Sequence, residues 1–143
     1  MRDLLRYAAE QGLTVHACHL PAGMLGCYEP DASRIWFDLG LTPAERRSVI
    51  AHELGHHHHR HTESTPRSER DADRFAAAML IDPAEYARLE PTYPDAHTLA
   101  DELGVTVKII EAYRRQLTRV GDVTYARLRM GRGQWDHRGA RSA

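Results

Sequence analysis

Two histidines and a glutamate near the middle of the chain have the spacing needed to activate water at a metal ion. They lie in the segment His52-Glu53-Leu54-Gly55-His56. Residues four apart share one face of a helix, so His52 and His56 can each direct a ring nitrogen at the same ion. Glu53 occupies the adjoining flank, where its carboxylate can accept a proton from water at that ion. The segment therefore predicts a zinc site with Glu53 as its general base.

The residues before this segment predict the helix that the spacing requires. Thr42 is suited to cap a helix, Pro43 to occupy its first position, and Glu45 to complete a capping box with Thr42. Apolar residues from position 44 to position 54 accompany a polar set at positions 45–48, a pattern typical of an amphipathic helix. Such a helix would hold the two histidines at a fixed separation.

A third protein ligand is needed, because a catalytic zinc ion is usually held by three side chains and keeps one position open. Residues 69–80 favour a helix, and the polar segment 61–66 before them allows the chain to turn back. We expect Glu69 to bind the zinc and Asp73 to accept a hydrogen bond from the outer nitrogen of a histidine ligand. Asp73 or Asp71 as the ligand is the alternative. Taken alone, the segment also fits a solvated helix face with Glu–Arg pairs.

Three segments together resemble the ImmA/IrrE family of small gluzincin-like metallopeptidases, namely residues 42–47, 51–56 and 69–77, and the likeness extends over residues 20–118. The resemblance implies a minimal zincin-like α+β domain. In it a small mixed or antiparallel sheet packs on the motif helix and on a second ligand helix, and a C-terminal helical pair follows. The resemblance also implies a Zn²⁺ cofactor held by His52, His56 and Glu69, with Glu53 as the general base.

The resemblance also implies a function. Members of the family are typically intracellular, often encoded by phages or integrative elements, and implicated in cleaving a helix-turn-helix repressor. The expected partner is therefore a repressor that serves as protein substrate. In the expected reaction zinc activates water and polarises the scissile carbonyl, while Glu53 takes the proton and delivers it to the leaving amine. The sequence leaves open which group stabilises the oxyanion, for which Tyr28, Tyr86, His97 and Tyr113 are available.

The alternative function is that of a zinc-stabilised binding protein. Such a protein would sequester a repressor or contact DNA without cutting anything. It would need the zinc ligands for stability but would have no use for Glu53.

More histidines follow the motif, at positions 57–59 and 61. Of these, His59 alone has the spacing to approach the ligand face, because it is three residues from His56 and seven from His52. A solvated helix end is the favoured interpretation of the run, since protonated imidazoles stabilise the negative end of a helix.

Length, composition and charge limit the class of protein. A chain of 143 residues, 42% of them hydrophobic, has core enough for one domain, which we predict at residues 1–130. The net charge of -1 gives no general attraction to nucleic acid or membranes. Neither a long apolar run nor a signal peptide is visible, so we expect a cytoplasmic protein without membrane contact. Cys18 and Cys27 are predicted to be reduced strand residues.

The N-terminal third is predicted to be a helix followed by strands. The helix covers residues 3–11, and residues 14–20 alternate as a strand. Residues 26–28 and 34–38 flank a turn-rich segment and predict a hairpin. In zincins generally, a strand beside the motif helix offers its backbone to an extended substrate, and one of these strands is the candidate.

The C-terminal third predicts a helical pair. Asp82-Pro83 can cap a short helix, and residues 98–118 form a helix, a glycine-containing turn and a helix, similar in spacing to a helix-turn-helix unit. The second helix carries Lys108, Arg114 and Arg115, so residues 98–115 could contact DNA, but nearby acidic residues favour packing against the core. Residues 119–130 alternate weakly as a strand, and the tail 131–143 is predicted to be disordered.

Overall fold

A computed structural model of the chain describes residues 1–120 and 123–126, and the side chains of residues 1–117. The described part is an α+β fold, as predicted. The predicted tail at 131–143 and the end of the weak strand pattern, including Leu128, lie outside the described residues. In chain order the elements are α1 (Arg2–Glu10), β1 (Thr14–Cys18), β2 (Gly26–Glu29), β3 (Arg34–Asp38), α2 (Pro43–His58), α3 (Pro66–Leu80), α4 (Pro83–Leu89), α5 (Ala96–Leu103), α6 (Val107–Arg115), β4 (Leu117–Val120) and β5 (Val123–Ala126).

The first three strands form a mixed sheet in the order β1-β3-β2. Strand β3 pairs in parallel with β1 and antiparallel with β2, and the predicted hairpin is therefore present. Strand β1 ends earlier than predicted, because the amide of Leu20 donates to the carboxylate of Asp38 at 2.7 Å instead of continuing the ladder. Ile35 at the centre of the sheet is fully buried, which places the main core between the sheet and the helices.

Helix α2 begins where the sequence predicts. The Thr42 hydroxyl accepts from the Glu45 amide at 3.3 Å, and the Glu45 carboxylate accepts from the Thr42 amide at 2.7 Å. This reciprocal pair is the capping box, and it satisfies amides that have no partner inside the helix. Pro43 occupies the first helical position. Three residues, Thr42, Pro43 and Glu45, therefore predicted the start of the motif helix.

Helices α5 and α6 form the predicted helical pair, and they pack against the rest of the molecule. Their shared inner face is apolar and buried, and its members are Leu99, Ala100, Leu103, Val105, Ile109, Ile110, Ala112 and Tyr113. The pair is also tied to the motif helix, because Arg47 donates to the carbonyl of Gly104 at 2.9 Å. Within the described residues no helix is both long and apolar enough to cross a membrane.

Candidate metal centre

Helix α2 places the two motif histidines side by side. The Nε2 atoms of His52 and His56 lie 3.1 Å apart. This proximity follows from the four-residue spacing, which puts both rings on one face of the helix. Both side chains are mostly shielded from solvent, with 15% and 12% exposed.

Helix α3 brings Glu69 to these two rings. Its Oε2 is 3.1 Å from His52 Nε2, and its Oε1 is 3.5 Å from His56 Nε2. One ligand atom from each of the three residues lies within 4.8 Å of the others. Two imidazole nitrogens and a carboxylate oxygen are donors that zinc accepts. The three predicted ligands therefore converge as one zinc ion would require.

The approach of α3 to α2 depends on a glycine inside the motif. A Cβ added at Gly55 would lie 2.8 Å from both the Cα and the carbonyl oxygen of Ala72. Real Cβ contacts are essentially never this short, so only glycine allows the two backbones to cross here. Ala72, Ala76 and Ala77 on the facing helix are fully buried. Small side chains on both helices thus set the separation at which Glu69 reaches the histidines.

Asp73 contacts the outer nitrogen of a histidine, as predicted from the sequence. Its Oδ1 lies 2.7 Å from His52 Nδ1, which leaves His52 Nε2 on the side of Glu69. Burial alone would lower the pKa of His52, but the hydrogen bond to Asp73 and the charges of Glu53 and Asp73 raise it. Asp71 does not join the cluster and lies 4.0 Å from Arg67. The geometry groups Glu69, rather than either aspartate, with the two imidazoles.

Glu53 is a buried carboxyl beside this cluster. Only 9% of its surface is exposed. Burial raises the pKa of Glu53 to about 7, with a further upward contribution from Glu69, while the charges of His52 and Lys108 oppose the rise. A carboxyl with a pKa near neutrality can both accept and return a proton, which is the property of a general acid–base group.

Glu53 and His52 face a cleft of about 600 Å³. It is lined by helix α2, by the segment before β2, by Asp73 of α3 and by the start of α6. The lining residues are Pro21, Ala22, Gly23, Met24, Leu25, Gly26, Glu45, Ser48, Val49, His52, Glu53, Asp73, Thr106, Lys108 and Ile109. The cleft therefore gives a ligand access to the general-base candidate and to one of the histidines.

Strand β2 lies at an edge of the sheet, and its first residue, Gly26, lines this cleft. A Cβ added at its first residue, Gly26, would collide with the Val49 side chain and lie 3.1 Å from Glu53 Oε1. Glycine at this position lets the strand lie directly against the motif helix. The backbone of an edge strand therefore borders the buried carboxyl.

Comparison with known protein families matches residues 8–113 to the IrrE N-terminal-like domain, which is a peptidase family. The match covers most of the chain and includes both motif histidines, Glu53 and Glu69. The chain belongs to this family. The predicted resemblance is thereby confirmed, and membership supports a metallopeptidase-type function. No individual curated protein matches the chain.

One residue of this IrrE N-terminal-like domain lines the cleft although the sequence did not predict it. Lys108 Nζ lies 2.8 Å from Asp73 Oδ1, and its side chain lines the cleft. From the sequence, Lys108 is only a basic residue of the helical pair. Thirty-five positions separate it from Asp73, and no helical or strand spacing relates them.

The histidines after the motif differ from their prediction. His61, rather than His59, contacts the metal cluster, with its Nδ1 3.0 Å from His56 Nδ1. The expectation that His59 alone approaches the ligand face is wrong, because α2 ends at His58 and the chain reverses at Arg60, whose φ is +55°. His59 stacks on His61 instead, with ring centroids 5.3 Å apart.

The four side chains considered for oxyanion stabilisation do not line the cleft. Tyr86 and Tyr113 are buried in the core with ring centroids 4.8 Å apart. The Tyr28 hydroxyl is 2.8 Å from His57 Nδ1, and His97 is exposed on α5. None of the four is therefore placed in the cleft to stabilise a negative charge that develops there.

Proposed function

We propose that this protein is a zinc-dependent peptidase that cleaves a helix-turn-helix transcriptional repressor and so relieves repression. The observation that carries the hydrolytic part is the position of buried Glu53, beside three converging metal donors and open to a cleft. A zinc site that serves only stability is normally closed by four protein ligands. Three donors and an adjacent carboxyl are instead the composition of a hydrolytic centre.

The chemistry follows from the roles of the individual side chains. His52, His56 and Glu69 would hold the ion, and Asp73 would orient the His52 ring through the 2.7 Å contact with Nδ1. When bound, zinc supplies Lewis-acid polarisation of the scissile carbonyl and makes water acidic enough to be deprotonated near neutral pH. Glu53 accepts the proton from the attacking water and returns it to the leaving amine.

The cleft favours an extended peptide as substrate. Such a segment can add to the outer edge of β2 through backbone hydrogen bonds, a common mode of peptide recognition. Gly26 keeps this strand close to Glu53, so a peptide bond presented there would lie next to the general base. Met24 and Leu25, with 43% and 53% of their surfaces exposed, offer apolar contacts to its side chains.

The choice of a repressor as substrate rests on the likeness to the ImmA/IrrE family, and the expected cytoplasmic location goes with it. Direct DNA binding by the helical pair is less favoured. Lys108 is paired with Asp73, and Arg114 donates to the Tyr86 hydroxyl at 3.0 Å and to the Pro94 carbonyl at 2.6 Å. A guanidinium held by internal contacts, as in Arg114, contributes less to phosphate binding.

The proposal is tested by incubating the zinc-loaded protein with the helix-turn-helix repressor encoded beside its gene and analysing the products by mass spectrometry. We expect two repressor fragments with one new pair of termini, in the linker or the recognition region. A parallel sample treated with a chelator should leave the repressor intact. An uncut repressor held in a stable complex with the zinc-loaded protein would instead support the sequestering alternative.

A further inference from the structure

Among the described residues that line the cleft, Lys108 is the one fixed positive charge. The other ionisable lining residues are the carboxyl groups Glu45, Glu53 and Asp73 and the imidazole His52. Lys108 stands in the first turn of α6 and lines the same cleft as Gly26 and Glu53. A peptide that adds to β2 at Gly26 would therefore enter the cleft that this ammonium group lines.

The position of this ammonium group is restrained. Its Nζ is 2.8 Å from Asp73 Oδ1, and the same oxygen is 2.7 Å from His52 Nδ1. Asp73 is only 9% exposed, whereas 60% of the Lys108 side chain remains exposed. An ammonium group has three N–H donors. One can be used by Asp73 while the others are available to a ligand in the cleft.

We propose that Lys108 is a catalytic residue that donates a hydrogen bond to the carbonyl oxygen of the scissile amide as that oxygen gains negative charge. This inference rests on the proposed peptidase function. A donor held in place before the reaction stabilises developing charge without the cost of reorganisation. Asp73 then both orients the His52 ring and restrains the Lys108 ammonium group.

A purely structural role for Lys108 makes a different prediction about zinc. If the contact with Asp73 served only to position His52, then loss of Lys108 should weaken metal binding, as loss of such outer contacts does. A catalytic cation near a divalent ion opposes metal binding electrostatically. Removal of that cation should not reduce the zinc content, but it should weaken the binding of a tetrahedral anion.

The test compares the wild-type protein with Lys108→Met, which removes the charge and keeps the chain length, and with Lys108→Arg, which keeps the charge. Arg115→Met is the matched control, since Arg115 is exposed at the other end of the same helix and does not line the cleft. Each zinc-loaded protein is titrated by calorimetry with a phosphonate dipeptide, in which a tetrahedral anion replaces the scissile carbonyl. Zinc content is measured for each protein, and kcat and KM are measured on the repressor.

We expect Lys108→Met to keep its zinc and to bind the phosphonate at least ~10-fold more weakly, the scale of one lost charge-assisted hydrogen bond. The kcat of Lys108→Met should fall by ~10² or more with little change in KM. Lys108→Arg should recover part of the lost phosphonate affinity and part of the lost kcat. Arg115→Met should match the wild type. Wild-type phosphonate affinity in Lys108→Met, or loss of its zinc, would overturn the assignment. The calorimetric result decides this even if the wild-type protein leaves the repressor uncut, an outcome that would refute the proposed function alone.

Discussion

At the scale of single residues, each motif histidine uses its two ring nitrogens for different partners. His52 directs Nε2 at the ligand cluster and Nδ1 at Asp73, and His56 directs Nε2 at the cluster and Nδ1 at His61. An imidazole ring whose outer nitrogen is held by a partner presents its other nitrogen to a metal ion in a fixed direction. A substitution of His52 or His56 would remove one nitrogen from the ligand cluster and one from the contact behind it.

The first prediction concerns metal content. His56→Ala should lose the one tightly bound zinc, because two remaining donors are too few for a stable site. His59→Ala is the matched control and should keep it, since His59 does not belong to the cluster. Elemental analysis of the purified variants gives the ratio of zinc to protein. Full zinc occupancy in a His52→Ala, His56→Ala double variant would place the metal in the downstream histidines and contradict the assignment.

The second prediction separates the two acidic residues of α3. Glu69→Ala should weaken zinc binding more than Asp73→Ala, because the first change removes a ligand oxygen and the second an orienting hydrogen bond. Loss of an orienting contact typically costs ~10- to 100-fold in metal affinity. Competitive titration with a chelator of known affinity measures both variants on one scale. The reverse order would identify Asp73 as the ligand.

At the scale of secondary-structure elements, the site is a product of how closely α2 and α3 pack. Local signals predicted both helices, because the capping box at Thr42 and the helix-forming run near Glu69 lie within a few residues of what they control. The close crossing at Gly55 was not predicted, because it depends on a residue of another helix, Ala72. Sequence spacing can show that a helix exists, but not which glycine faces a neighbouring backbone.

The third prediction uses this crossing. Gly55→Ala should destabilise the fold by ~1–3 kcal/mol, since the added methyl group must push the α3 backbone away. The same substitution in an unobstructed helix would stabilise it by about 1 kcal/mol, so the sign of the change is diagnostic. Displacement of α3 from α2 should also pull Glu69 away from the histidines and lower the affinity for zinc. Urea denaturation with and without zinc measures both effects, and a more stable variant would refute the close contact.

At the scale of the whole molecule, the centre draws on parts of the chain that are far apart in sequence. The strand that borders Glu53 comes from residues 26–29, the metal donors from α2 and α3, and the cleft cation from α6. The local motif and the likeness to a family identified the donors. They could not identify Lys108 or His61, because the first is placed by packing of the helical pair and the second by a chain reversal after α2.

The most direct test of peptide hydrolysis at this site is Glu53→Gln. The amide has nearly the shape of the carboxyl but cannot act as a base, so the variant should keep its fold, its zinc and its affinity for the repressor. Cleavage of the repressor should fall at least ~10²-fold, the usual scale for a positioned acid–base group, and cells carrying the variant should stay repressed under conditions in which the wild-type protein relieves repression. Glu102→Gln, an exposed change on α5, should behave as wild type. Derepression by Glu53→Gln with the repressor intact on a gel would contradict hydrolysis and establish sequestration in its place.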